Sequence, residues 1–323
     1  IDSEAARAVA GVHAIFTLAD FKPYLSNERL VVGLPSPAYR QDLNRPALAD
    51  DEVVHVGEPV AIVVADTRYI AEDAAALIEV DYDPLPVVAD CKAALEDGAP
   101  TAHRDSPHNV LAEFDVGFGD VDQAFADAPH TFQESIWQHR GGSHSLEGRG
   151  AVATYDDMDE QLTLWSSTQA AHTAKNVLID MLGWTENRVR VMTPDVGGGF
   201  GPKVVFYPED VAVSLAAYVM REPVKWVEDR REHFVGTTQE RDQYWDAEIA
   251  VDGDGKVLGV RGSLSQEHGA YTASGINLAQ NSAVVVTLPY DVPNYHLDVR
   301  LALTNKVSVT PVRGAGHPQE GHG

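Results

Sequence analysis

The sequence predicts an α+β fold of mixed sheets and helices. Three observations carry this. Short segments with strand alternation recur along the chain. Between them lie longer stretches with apolar residues at helical spacing. A glycine–aspartate turn joins two strand patterns as a hairpin.

The elements follow in order. Val53 to Ala65 reads as two strands around a Gly57-Glu58-Pro59 turn. Thr67 to Ile78 is alanine-rich, with Ile70, Ala74, Leu77 and Ile78 at helical spacing and Asp66 or Thr67 placed to cap it. Glu79 to Asp83 resumes alternation until Pro84 and Pro86. Residues 91–112, polar and rich in Ala, His, Pro and Asp, read as a linker. Val121 to Phe125 reads as a short helix and Thr131 to Trp137 as a strand. Gly150–Tyr155 and Gln161–Ser166 bracket an acidic turn and predict a hairpin. Ala171–Leu182 is an amphipathic helix ended by Gly183, a residue suited to the left-handed C′ position. Arg188 to Met192 alternates as a strand, and Pro208 to Met220 reads as a helix. Ala247–Val251 and Val257–Ser263 flank the turn Asp252-Gly253-Asp254-Gly255-Lys256; without a downstream glutamate it reads as a plain turn, not a calcium loop.

Composition narrows the function. With 323 residues, 44% of them hydrophobic, the chain has material for two domains. It has 24 basic and 49 acidic residues, a net charge of −25, and no basic stripe, which argues against nucleic acid and anionic membrane surfaces as partners. A single cysteine, Cys91, excludes an internal disulfide framework and a cysteine-ligated iron–sulfur cluster within this chain. The thirteen histidines form no HExxH motif, so a protein-ligated zinc site is unsupported. No apolar run is long enough to span a membrane and no secretory signal pattern is present, so the expected location is cytoplasmic. The sequence opens without methionine and stops just after a glycine motif, which suggests a piece of a longer polypeptide.

The most informative stretch is Pro194-Asp195-Val196-Gly197-Gly198-Gly199-Phe200-Gly201-Pro202-Lys203. So many glycines cannot form a stable helix or strand interior. A strand therefore runs into a loop whose backbone can approach a ligand closely, with Phe200 as a wall for a flat one. A tight turn is the competing reading. The stretch is neither GxGxxG nor a P-loop, because Val204 follows Lys203 where a magnesium-binding hydroxyl would stand.

Four further segments stand out. Leu164 to Gln169 ends a strand in a polar cluster: Ser167 or Thr168 can cap the next helix, and Gln169 can both donate and accept. In His144 to Gly150, Glu147 and Arg149 read as a structural ion pair. Glu228 to His233 is a charge run of the kind found on solvated or interfacial faces. In Pro311-Val312-Arg313-Gly314-Ala315-Gly316-His317-Pro318-Gln319, an arginine on a second glycine loop can hold an anion by bidentate hydrogen bonds. Together these segments describe a backbone-lined pocket for a large anionic cofactor, without a nucleophile–base pair.

In this order, these residues resemble the large, molybdopterin-binding subunit of the molybdenum hydroxylases, the xanthine dehydrogenase/aldehyde oxidase family. Val56 to Pro86 looks like the end of the family's α/β hammerhead domain. Ser167-Thr168-Gln169, Leu182-Gly183, the loop 196–203, Pro223 to Trp226, Glu228 to Glu232, Gly269-Ala270-Tyr271 and Arg313 to Gly316 follow its first molybdopterin-binding domain. The resemblance implies a hammerhead domain over residues 1–90, a linker over 91–112 and the first half of the molybdopterin-binding domain over 113–323. It implies that Gln169 bonds an oxo ligand of molybdenum and that Gly198, Gly199, Phe200 and Gly201 bring their backbone to that ligand sphere and the pterin. Arg313, Gly314 and Ala315 are implied to lie near cofactor and substrate. It implies no protein ligand to the metal, a molybdopterin cofactor in its cytosine dinucleotide form, FAD and 2Fe-2S clusters on partner subunits or domains, and, with an iron–sulfur subunit and an FAD subunit as partners, a dimer of heterotrimers. The implied reaction inserts water-derived oxygen into an aldehyde or N-heteroaromatic carbon.

Three departures bear on specificity. Val204 stands where xanthine dehydrogenases have a substrate-binding glutamate, and Ala315 where they have a substrate-sandwiching phenylalanine. Gly314 stands where copper–molybdenum carbon monoxide dehydrogenases carry a cysteine. The family's general-base glutamate falls outside this chain, so the fragment alone is expected to be inactive. The rival readings are a non-catalytic scaffold cut from such a subunit and an anion- or carbohydrate-binding α+β protein.

Overall fold

The computed structural model describes residues 1–287 and 289–317. Eleven strands lie among them. In chain order they are β1 (Val12–Phe16), β2 (Ile62–Ala65), β3 (Val110–Phe118), β4 (His130–Gly141), β5 (Gly150–Asp156), β6 (Gln161–Ser166), β7 (Val189–Met192), β8 (Val224–Val227), β9 (Glu240–Val251), β10 (Val257–Gly269) and β11 (Tyr295–Leu303). They form a two-stranded sheet β1-β2, a four-stranded sheet β7-β6-β5-β8 and a five-stranded sheet β3-β11-β10-β9-β4.

Two parallel pairs set the topology. β6 and β7 run parallel, Leu162 opposite Val189 through Trp165 opposite Met192. β10 and β11 also run parallel, and the other pairings are antiparallel. Parallel neighbours need a crossover, and each pair has a helix in its connection: Ala171–Leu182 for the first, Ile276–Val285 for the second. Gly183 ends the former in the left-handed region, φ 65°. That helix buries Ala174, Val177, Leu178 and Met181 against Leu162 and Leu164 of β6, while Pro208–Met220 contributes Val211, Leu215 and Ala216 to the same core.

The early part of the chain shares that core. Leu18, Phe21, Leu30, Ala47 and Leu48 pack into it, so residues well inside 1–90 are held by the four-stranded sheet. Residues 91–112 are likewise packed. They hold a helical turn, Cys91–Ala94, capped by Asp90, and Cys91, Ala94 and Ala102 join the core of the five-stranded sheet.

Val53 to Ala65 departs from the expected strand pair, because only Ile62–Ala65 is a strand and its partner is β1. The preceding residues spend their polar groups elsewhere. Val54 N–H donates to Glu58 Oε2 at 2.6 Å, and Val54 C=O accepts from Asn305 Nδ2 at 2.9 Å. After the Thr67-capped helix Arg68–Ala75, Glu79 forms only an isolated bridge with Asp2. The turn at Asp252 is the expected plain one: its side chain accepts from Asp254 N–H and Lys256 N–H, both at 2.9 Å.

His268 of β10 is fully buried, and its Nδ1 has no hydrogen-bond partner. Burial, aided by the positive charge of Arg140, pushes its pKa down to about 3. A histidine with a depressed folded pKa adds protons first in the unfolded chain, so its penalty grows as pH falls from 6.5 towards 3. His268→Gln removes that penalty. Urea titrations of variant and wild type should show the stability difference shifting by about 2 kcal/mol in the variant's favour between pH 6.5 and pH 5.

Candidate functional site

The parallel pairing of β6 and β7 makes the site. Loops that leave parallel neighbours emerge at the same end of the sheet, where ligands of such sheets usually bind. Gln169 follows β6 and the glycine loop follows β7. The two meet directly: Gly201 N–H donates to Gln169 Oε1 at 3.1 Å, and Gln169 N–H donates to Lys203 C=O at 2.8 Å. A Cβ on Gly199 would sit inside the Gln169 side chain, and one on Gly201 would strike Pro311 and Val312 backbone. Gly201 is therefore required by close approach to backbone, Gly198 and Gly201 by positive φ, 98° and 120°, and a side chain at 199 would displace that of Gln169.

With Oε1 engaged, the Gln169 NH2 has no acceptor among the described residues, and the side chain is exposed. The N–H groups of Gly198, Gly199 and Phe200 likewise donate to no acceptor among the described residues. Phe200 takes φ 55°, and its ring is 45% exposed beside Gly198. Consecutive unpaired amides with alternating φ form a concavity that suits an anion.

Helix capping does not use the neighbouring hydroxyls. The N-cap of Ala171–Leu182 is Ala170, without a side-chain bond. Ser167 Oγ instead accepts from Gly150 N–H at 2.9 Å, and Thr168 Oγ1 donates to Lys203 C=O at 3.1 Å. Both hydroxyls thus tie Gln169's segment to the sheet and to the loop.

The second glycine loop adjoins the first. Arg313 N–H donates to Phe200 C=O at 2.9 Å, and Asn281 Nδ2 holds Ala315 C=O at 2.9 Å. Gly314 and Ala315 have φ 98° and 38°. The exposed Arg313 side chain meets no carboxylate among the described residues. Val204, 44% exposed, ends the turn Pro202–Val204, where it leaves an apolar surface at the edge of the loop. Pro318 and Gln319 lie outside the described residues.

The expected Glu147–Arg149 pair does not form. Each residue finds a different partner from elsewhere in the fold. Glu147 Oε2 pairs with Lys203 Nζ at 2.6 Å and accepts from Gly197 N–H at 2.8 Å. Arg149, almost fully buried, makes a bidentate pair with Glu209 at 3.0 and 2.9 Å and bonds Glu228 at 2.8 Å. Its guanidinium lies over the Tyr207 ring at 4.0 Å. Burial opposes that charge, but the carboxylates of Glu209 and Glu228 outweigh it and raise the pKa.

The charge run 228–233 also turns inward at its ends. Asp229 caps the helix Arg230–Gly236 in a capping box with Glu232, while Glu228 and His233 are buried and bonded to each other. Beneath the loop, burial raises the pKa of Asp210 to about 6, against the lowering effect of its bond from Ser166 Oγ at 2.7 Å. Arg149, Glu209, Glu228 and Asp210 thus form a rigid charged floor. Sequence reasoning missed this pairing and the Lys203–Glu147 contact; the one local signal was the presence of both signs of charge close to the glycine loop.

The arrangement is rich in unpaired donors although the chain carries a net charge of −25. Among the described residues no group of three or more His, Cys, Asp or Glu side chains could hold a metal ion. The donor set fits a large anionic group that brings its own ligands to any metal, and the glycine cradle supplies space that side chains would fill.

Fold and loop together define an α+β protein with a backbone-lined anion cradle at the carboxyl end of a parallel strand pair. Residues 102–321 match the model of the molybdopterin cofactor-binding domain, and residues 1–86 that of the aldehyde oxidase and xanthine dehydrogenase a/b hammerhead domain. The chain is 36% identical over 321 residues to the nicotine 6-hydroxylase large subunit of Paenarthrobacter nicotinovorans, covering 98% of this chain and 39% of that one. It is 37% identical to the carbon monoxide dehydrogenase large chain of Hydrogenophaga pseudoflava, covering 95% of this chain and 39% of the relative. Quinoline 2-oxidoreductase from Pseudomonas putida 86 superposes with a TM-score of 0.90 at 32% identity, covering 98% of this chain and 40% of that structure. The chain belongs to the xanthine dehydrogenase/aldehyde oxidase family of molybdenum hydroxylases, and it spans about two fifths of the length of these relatives.

The floor is testable by stability alone. Arg149→Met leaves the buried Glu228 carboxylate without its guanidinium, and chemical denaturation should report a loss of about 3–5 kcal/mol. Arg149→Lys should recover only part of it, because an ammonium cannot reproduce the bidentate bond to Glu209.

Proposed function

We propose that this chain is the cofactor-facing part of the large subunit of a molybdenum hydroxylase that oxidises an aldehyde or an N-heteroaromatic carbon. One observation carries the reading: the free amides of Gly198, Gly199 and Phe200 lie on the loop that meets Gln169, whose NH2 is unpaired while its Oε1 accepts from Gly201 N–H. When bound, the molybdenum cofactor supplies the two-electron oxidation and the transfer of water-derived oxygen.

The chain's residues bind and orient. Gln169 donates its NH2 to a polar group of the cofactor while Gly201 N–H fixes its carbonyl end. Gly198, Gly199 and Phe200 offer backbone N–H donors, and the Phe200 ring closes one side. Arg313, with Gly314 and Ala315, supplies a positive charge and an open backbone beside the same loop, and Val204 and Ala315 leave the substrate side apolar and wide. The general base is assigned to a residue outside this chain, so the 323-residue chain alone should be inactive. Residues 1–90, 91–112 and 113–323 are assigned to the hammerhead unit, a connecting segment and the first half of the cofactor-binding unit.

The proposal extends to the assembly. The cofactor is the cytosine dinucleotide form, and electrons leave through 2Fe-2S clusters and FAD on partner subunits or domains, because the one buried cysteine here cannot ligate a cluster. The expected complex is a cytoplasmic dimer of heterotrimers; among the described residues no helix is long and apolar enough to cross a membrane.

Metal, flavin and nucleotide analysis of the purified full-length complex tests the reading. Molybdenum, iron, FAD and a cytosine nucleotide should all be present. Gln169→Ala should retain molybdenum and lower kcat by roughly two orders of magnitude, the effect of removing one preorganised donor. A complex that turns over without molybdenum, or without both iron and flavin, contradicts the proposal.

Specificity gives a separate check. A valine at 204 leaves the polar edge of a purine unpaired, worth about 1–3 kcal/mol, roughly ten- to a hundredfold. Measured as kcat/KM on the complete enzyme, xanthine should fall below aromatic aldehydes and N-heterocycles. Xanthine at the head of that panel would refute the roles given to Val204 and Ala315.

A further inference from the structure

One charged pair is left unexplained by the donor set. Lys203 has 1% of its side chain exposed, yet its only carboxylate partner among the described residues, Glu147, lies at the protein surface with 41% exposed. A lysine is seldom buried so completely unless its position does something. Its contacts form a closed circuit. Lys203 Nζ bonds Glu147 Oε2 at 2.6 Å, and the same oxygen accepts from Gly197 N–H at 2.8 Å. Glu147 N–H in turn donates to Gly197 C=O at 3.4 Å. At its other end, Lys203 C=O accepts from Gln169 N–H at 2.8 Å and Thr168 Oγ1 at 3.1 Å. Gln169 Oε1 then accepts from Gly201 N–H.

The circuit therefore fastens the first glycine of the loop, the last glycine of the loop and Gln169 to one another. Glu147 is itself fixed, since its C=O accepts from Ser145 Oγ at 2.6 Å and Arg230 holds Ser145 C=O at 2.9 Å. The Lys203 charge keeps the Glu147 carboxylate ionised: burial favours the neutral form, but the bonds from Lys203 and Gly197 outweigh it and lower the pKa. Ionisation makes both bonds to Oε2 charge-assisted, and so stronger than bonds to a neutral acid.

We infer that Glu147 and Lys203 are a positioning pair that sets the glycine loop against Gln169, so that the free amides and the Gln169 NH2 face one ligand. Neither residue touches the cofactor in this scheme. The inference rests on the loop being the cofactor cradle; the clamp itself can be tested whether or not that reading holds.

The test uses the full-length complex with Glu147→Ala, Glu147→Gln and Lys203→Met, and with Glu186→Gln, in the exposed Lys175 pair, as control. Glu147 is accessible enough that its variants should fold even if Lys203→Met does not. Hydrogen exchange of the peptide spanning residues 195–204 should rise about tenfold in Glu147→Ala, the loss of one charge-assisted bond. Glu147→Gln keeps an acceptor for Gly197 N–H and should show a smaller rise. In the molybdenum-loaded complex, Glu147→Ala should lower kcat about tenfold with KM little changed and should alter the Mo(V) EPR line shape at equal metal content. Unchanged exchange in both Glu147→Ala and Lys203→Met overturns the clamp. So does a kcat loss that tracks metal loss one for one across the variants, with a wild-type EPR line shape. A wild-type complex without molybdenum refutes the cofactor reading instead, and the exchange result still decides the clamp.

Discussion

The parallel register of β6 and β7 is the constraint on which the site depends. It puts two chain segments far apart in sequence, 161–169 and 189–203, side by side and pointing the same way. A parallel pair cannot be closed by a tight turn, so the chain must run through the helix Ala171–Leu182 before it returns. The apolar face of that helix then buries Val177, Leu178 and Met181, which locks the register from the far side. A one-residue slip would turn Leu162 and Leu164 out of the core, and it would also move Gln169 away from Gly201.

Floor and roof of the site differ in kind. Below the loop, the charges nearest to it are paired: Arg149 with Glu209 and Glu228, Lys203 with Glu147, and Asp210 with the Ser166 hydroxyl. Above it, backbone amides and a primary amide are left open. A buried charge network costs desolvation, which fixed partners with several hydrogen bonds offset, and the result is a surface that does not reorganise. Preorganised donors of this kind favour a ligand that arrives with its charges already placed. This also explains why a metal-dependent family can work with a chain in which no described cluster could hold a metal: the protein shapes the surroundings, and the cofactor brings the ligands.

Much of this was legible in the sequence because it is local. The hairpin β5-β6, the helix ended by Gly183 and the turn at Asp252 each announce themselves within a few residues. The glycine loop did so too, since no regular element tolerates Gly197 to Gly201. Val53 to Ala65 misled because alternation reports only that a segment is extended. Whether it pairs is decided by Asn305 and Glu58, which take its polar groups. The run 228–233 misled for the opposite reason: a charge count cannot tell a solvated face from one whose terminal members, Glu228 and His233, find buried partners. Glu147 and Arg149 were paired by proximity in sequence, whereas Lys203, Glu209 and Glu228 reach them only through the tertiary fold. The crossover to β11 was equally invisible, since its partner strand is set by the sheet and not by local pattern.

Gly199 has an ordinary backbone conformation, so glycine stands there for space alone, and the space is taken by Gln169. The two positions therefore behave as one unit of inheritance. A lineage that trades Gln169 for a smaller side chain gains room for a methyl at 199, and one that acquires alanine at 199 first must shift the glutamine off Gly201. Change at 199 alone is felt through the glutamine it displaces, and change at 169 first is the route that leaves the loop in place.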